Sequence, residues 1–125
     1  MSTTVNIDDL GAVVAQTLEE FSEEVAVQVR ENVDAVAKQA ARELKNTSPK
    51  KTGEYAKGWS KRTIYYKRGR YVVQAYNRKK PSLTHLLEYG HKTLDGKTVP
   101  AKQHIRPVAE KATRDLLNGI KLGLK

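Results

Sequence analysis

From Leu10 to Leu44 an apolar residue recurs every three or four positions, through Val14, Leu18, Phe21, Val25, Val29, Val33, Val36 and Ala40. That is the period of a single helix face. With Val5 and Asn6 as its start, the pattern predicts one helix of about forty residues, ~60 Å long at ~1.5 Å per residue. A compact chain of 125 residues has a radius of gyration near ~14 Å. Such a rod overhangs its own domain. Either it breaks, at Thr17 to Ser22 where Thr17 and Glu20 have capping-box spacing, or its surplus stripe packs on another subunit.

Local signals mark both ends. Asn6 has the chemistry of an N-cap with Asp9 three residues on, Val5 and Leu10 flank it as a staple, and Asp8 and Asp9 suit the positive end of the helix dipole. Lys45, then Asn46, Thr47, Ser48 and Pro49, stop the helix, because the residue before proline is pushed out of helical geometry.

Beyond Pro49 the pattern becomes extended. Trp59 to Lys67 and Arg70 to Asn77 read as a hairpin closed by Arg68-Gly69. A two-residue turn sets Tyr66 opposite Tyr71 and Ile64 opposite Val73, and the Ile64 and Val73 side is the expected core face. Ser82 to Tyr89 reads as a short helix opened after Pro81 and ended by Gly90. A polar loop, His91 to Lys102, carries an Asp95-Gly96 turn. Pro107 then starts a closing helix in which Val108, Ala112, Leu116 and Ile120 share a face. The expected fold is α+β: one domain over 1–125, with a helical arm at 1–47 and a sheet body with its closing helix at 48–125.

Charge is distributed as unevenly as hydropathy. The chain carries 23 Lys and Arg against 14 Asp and Glu, a net +9. Residues 1–45 hold nine acids against four bases, −5, while residues 46–125 hold five against nineteen, +14. A field divided this way suits a nucleic-acid, membrane or assembly partner and does not choose among them. The absence of cysteine excludes disulfides and thiolate metal sites. The first ten residues include Asp8 and Asp9 and no apolar run, so no signal peptide is expected, and no stretch has the length and hydropathy of a membrane span.

Little in the sequence points to catalysis. His85, Glu88 and His91 lie close along the chain, but a metal site needs three or four convergent donors and no second carboxylate is near. No phosphate-cradling glycine loop or nucleophile elbow is present. The nearest enzymatic reading is a small basic ribonuclease using His85, His104 or Tyr side chains as acid and base. A stronger competitor is nucleic-acid binding, through bases such as Lys67, Arg68 and Arg70 at the hairpin tip interleaved with tyrosines.

Three short segments carry a family resemblance. Ser48-Pro49-Lys50-Lys51-Thr52-Gly53-Glu54-Tyr55 resembles the "(A/S)P-x-x-TG-x-L" signature that follows the first helix in neck and tail-completion proteins of tailed bacteriophages, with Tyr55 in place of the usual aliphatic residue. Leu86-Leu87-Glu88-Tyr89-Gly90 is similar to that family's segment after the hairpin. His104-Ile105-Arg106-Pro107-Val108-Ala109 resembles its lead into the closing helix, with Val108 where alanine is common. All three occur in the family's order. The resemblance implies a non-enzymatic virion protein without cofactors or metal, acting at the head-tail junction and residing in the host cytoplasm before assembly. Its implied partners are copies of itself, in a ring, and adjacent neck and tail proteins, with passing contact to phage DNA and none to membrane. Interface candidates are Val14, Leu18, Phe21 and Val25 on the first stripe, Leu86, Glu88, Tyr89 and His91, and more broadly the loop from Arg78 to Lys102. DNA-facing candidates are Lys67, Arg68 and Arg70. Pro49, Thr52, Gly53, Gly90, His104 and Pro107 are the structural motif positions.

Overall fold

A computed structural model describes residues 3–8, 11–18, 21–49, 53–67 and 70–123. In chain order the elements are β1 (Thr3–Asp8), β2 (Gly11–Thr17), α1 (Glu23–Thr47), α2 (Glu54–Lys57), β3 (Trp59–Lys67), β4 (Arg70–Asn77), α3 (Pro81–Tyr89), β5 (His91–Lys92), β6 (Thr98–Val99) and α4 (Ile105–Gly123). The class is α+β, with a long helix ahead of the central hairpin, a short helix after it, and a helix at the C-terminal end.

The long apolar stripe does break between Thr17 and Ser22. The helix beyond the break is α1, capped by Ser22, whose Oγ accepts from the Val25 N–H at 3.3 Å, with Glu23 and Glu24 in the first turn. Before the break the chain is extended. Asn6 lies inside β1 and not at the start of a helix, while Asp9, Leu10 and Glu20 lie outside the described residues. The periodicity of three and four misreads this stretch because Ala12, Val14 and Gln16 are also spaced by two, and all three are buried. Neighbouring β-branched residues, Val13 beside Val14 and Thr3, Thr4 and Val5 in β1, further favour strand. Residues 1–47 therefore do not form a helical arm: their first part supplies two strands of the sheet.

That sheet has the order β1-β2-β4-β3 with every pairing antiparallel. Its core face holds Ala12 and Val14 from β2 and Tyr71, Val73 and Ala75 from β4. Two clusters cover it. Val29, Val33, Val36 and Ala37 of α1 and Ala112 and Leu116 of α4 pack on Val14, Tyr71 and Val73. Ala40, Ala41 and Leu44 pack with Tyr55, Trp59, Ile105 and Val108 over Ala12 and Ala75. Polar ties hold α1 in place: Tyr71 donates its hydroxyl hydrogen to the Asp34 carboxylate at 2.9 Å, and Lys61 approaches the same group at 3.1 Å. Lys111 of α4 reaches Glu43 at 2.6 Å, and Asn32 donates to the Leu116 carbonyl at 3.0 Å.

The central hairpin pairs Tyr66 with Tyr71 and Tyr65 with Val72, as its two-residue turn requires, although Arg68-Gly69 itself is outside the described residues. Then a bulge intervenes, and Thr63, not Ile64, pairs with Val73. Ile64 is half exposed, contrary to the core role expected of it. One extra residue flips every side chain upstream of it to the other face. Without the bulge, Arg62 and Ser60 would face the core; with it, Trp59 does, and it is fully buried. Burying an indole in place of a guanidinium is the stronger demand.

Candidate functional site

The three motif segments, far apart in sequence, meet in one buried junction. Helix α1 ends where Ser48 donates its backbone N–H to the Leu44 carbonyl at 3.0 Å, with Pro49 immediately after. The Ser48 hydroxyl oxygen then accepts from the Trp59 indole at 2.7 Å. Gly53, with φ of 80°, turns the chain into α2 in a conformation that glycine takes without penalty. This short helix points Tyr55 inward.

At the centre of the junction, Tyr55, Trp59 and His104 stand edge to face, with ring centroids 5.5 to 6.3 Å apart. His104 Nδ1 lies 2.7 Å from the Lys102 carbonyl, which can only accept, so this nitrogen carries the proton. The Tyr55 hydroxyl, 2.7 Å from Nε2, then donates to the ring. Burial, and secondarily the Glu88 charge, push the Tyr55 phenol well above its ordinary range, so it stays a donor. The residue that looked like a departure from the signature is thus a matched partner for His104. Asn77, at the end of β4, completes the joint by donating to the Tyr55 carbonyl at 2.7 Å and accepting from the Lys80 N–H at 2.8 Å.

Glu88 is fully buried, which corrects its place among interface candidates. Its Oε1 accepts from the backbone N–H groups of His104 and Ile105, both at 2.8 Å, and its Oε2 from Arg106 at 3.0 Å. The first turn of a helix leaves its N–H groups without partners and carries partial positive charge. A carboxylate sent from α3 supplies both needs of α4, and the three charge-assisted bonds offset the cost of burying it. Among the described residues no group of three or more His, Asp or Glu, Glu88 with His85 and His91 included, is placed to hold a metal ion. The His85 ring lies tilted against the exposed Tyr89 ring, 4.9 Å between centroids.

Gly90 closes α3 by donating its N–H to the Leu86 carbonyl at 2.9 Å, with φ 76° and ψ 171°. That region is essentially restricted to glycine. A Cβ there would also lie 2.7 Å from the Val99 carbonyl oxygen and 2.9 Å from the Ala101 nitrogen. From this pivot the β5–β6 hairpin leaves and returns, and the Lys102 N–H bonds the Leu87 carbonyl at 2.7 Å where it rejoins the junction. Pro107 falls in the first turn of α4, where its missing N–H costs nothing.

Other candidates are dispersed. Val14 and Leu18 are buried in the chain's own core and offer no subunit surface; β2 places Val14 beneath α1. Phe21 and Val25 are half-buried against the same cluster. Leu86 and His91 are half-buried, and Arg70 is exposed. Thr52 and Arg68 lie outside the described residues, as does the side chain of Lys67. Sequence reasoning missed Ser48, Trp59 and Asn77 as junction partners. The available signal was a tryptophan and an asparagine at the two ends of one hairpin, each with a polar group needing a buried partner.

Residues 12–90, more than half of the chain, match the model of a family described as "Bacteriophage HK97-gp10, putative tail-component". The chain belongs to this HK97-gp10-like family. It is therefore a structural component related to phage tails, working among other phage structural proteins in the virion. No curated protein and no solved structure matches it. The family match spans the first two motif segments; the β5–β6 hairpin and α4 follow it. Among the described residues no helix is long and apolar enough to cross a membrane.

Proposed function

We propose that this protein is a head-tail joining component, a non-enzymatic tail-completion or neck protein that unites the DNA-filled head with the tail and works there as a homo-oligomer, in a ring. Family membership supplies the tail context. The observation that carries the finer reading is the junction itself: its buried polar groups are spent on helix caps and on a tyrosine-histidine bond, and its product is a rigidly mounted hairpin within the surface segment Arg78 to Lys102. A site so built orients a surface; it exposes no paired acid and base to a substrate.

The charge division supports subunits meeting head to tail, acidic face against basic face. Deleting the gene is expected to leave complete tails and DNA-filled heads that fail to unite, seen by electron microscopy of lysates. Normal virions from the deletion strain would overturn the reading.

A further inference from the structure

The tip of the β5–β6 hairpin is closed by a set of hydrogen bonds among Thr93, Asp95, Gly96 and Lys97. Thr93 donates its N–H to the Lys97 carbonyl at 2.8 Å, Gly96 returns a bond to the Thr93 carbonyl at 3.0 Å, and the Thr93 hydroxyl donates to Asp95. The Lys97 N–H also reaches the Thr93 hydroxyl oxygen at 3.2 Å. What this turn presents is Leu94, with a relative exposure of 110%. A leucine held wholly in water on an ordered support is an anchor ready for a pocket, because little entropy is left to lose on docking. Lys92 and Lys97, both exposed, flank it.

A complementary patch lies on α1. Val27 is 44% exposed, and Glu23 and Glu31, one turn to either side on the same helix face, are exposed with it, as is Glu24. One surface is a leucine between lysines, the other a valine between glutamates. They cannot meet within one chain. The hairpin is rooted where the Lys102 N–H bonds the Leu87 carbonyl, and Leu87 packs on the cluster that holds Ala40, Ala41 and Leu44 of α1; from Ala40, Val27 is about 20 Å away along the helix, while a hairpin arm of this length extends about 13 Å.

We propose that the β5–β6 hairpin is a docking prong that seats Leu94 on the Glu23, Val27 and Glu31 stripe of a second copy of this chain. The two patches are different surfaces, so each copy offers one and receives the other, the geometry of a head-to-tail contact. This deepens the self-assembly reading above and rests on it.

The natural chain has no cysteine, so single cysteines report proximity cleanly. Leu94→Cys protein mixed with Val27→Cys protein and oxidised is expected to give roughly tenfold more mixed disulfide than the same mixture made with Leu117→Cys in place of Val27→Cys, through the raised effective concentration at a docked contact. Leu117 is the control because it is comparably exposed, at 41%. Leu94→Asp should weaken self-association in sedimentation velocity by roughly tenfold or more, at unchanged melting temperature. The Val27→Cys, Leu94→Cys double variant, assembled into phage particles, should cross-link neighbouring copies. If the natural protein self-associates but Leu94→Asp associates equally, and the Leu94→Cys protein links to Val27→Cys no more than to Leu117→Cys, the prong is wrong and self-assembly stands. If Leu94→Asp blocks particle assembly with self-association unchanged, the prong seats on a different protein and the proposal fails. A natural protein that is monomeric at every concentration, with no link between copies in particles, overturns both.

Discussion

Glu88 shows how a single side chain can connect two elements and a surface device. Its carboxylate caps α4 from another helix, and His104, whose N–H it accepts, holds Tyr55 on the far side of the junction. Glu88→Gln keeps the size but removes the charge from three hydrogen bonds. A loss of about 2–3 kcal/mol is expected, measured as a shifted urea midpoint with unchanged slope. The Tyr55 and Tyr71 phenols are both raised above 10.0, mainly by burial, with Glu88 adding to Tyr55 and Asp34 to Tyr71. The folded state therefore keeps its protons where the unfolded chain gives them up. Their contribution is complete below pH 10.0 and declines as pH rises from there toward the folded-state values. Melting temperature should accordingly fall above pH 10.0, and Tyr55→Phe should start lower but lose less over that range.

At the scale of elements, the bulge in β3 and the pivot at Gly90 decide which surfaces exist. If the bulge sets the register as described, Trp59→Ala costs about 3–5 kcal/mol, while Ile64→Lys stays within about 0.5 kcal/mol as an exposed substitution. Equal costs in thermal unfolding would show that Ile64 is buried and the bulge misplaced. Gly90→Ala meets both a forbidden backbone region and the Val99 carbonyl, and a loss of about 3 kcal/mol is expected. Its signature is local as well: amide exchange at Thr93 and Lys97 should accelerate before the core strands are affected, because the hairpin loses its mount. Gly90 and Pro107 were legible in the sequence as an end and a start, since both act through backbone geometry within a few residues. The β1–β2 strands were not, because a stripe of Val and Leu spaced by four fits a helix as well as the buried side of a sheet.

For the whole molecule, the net +9 gives different expectations under the proposed neck role and under a nucleic-acid-binding one. A structural role at the neck predicts weak, salt-sensitive duplex binding by purified protein. Reversal of Lys67, Arg68 and Arg70 to Glu should make the dependence of log K on log salt shallower by up to about 3, one phosphate contact for each base removed. The same variant should still support head-tail joining in a complementation assay. Tight binding whose loss abolishes function would favour the nucleic-acid reading.

The features legible before folding is considered are those governed by local backbone chemistry and by composition. The stop at Pro49, the tyrosine pairing next to the hairpin turn, the end at Gly90, the start at Pro107, and the division into −5 and +14 all follow from residues acting on their near neighbours. Folding in three dimensions sets that residues 3–8 and 11–17 join the sheet, that Trp59 and not Ile64 faces inward, and that Glu88 turns from the surface to cap a helix sixteen residues away. In each case the choice depends on partners brought close only by folding: an apolar face awaiting cover, a buried indole, and three backbone N–H groups without acceptors.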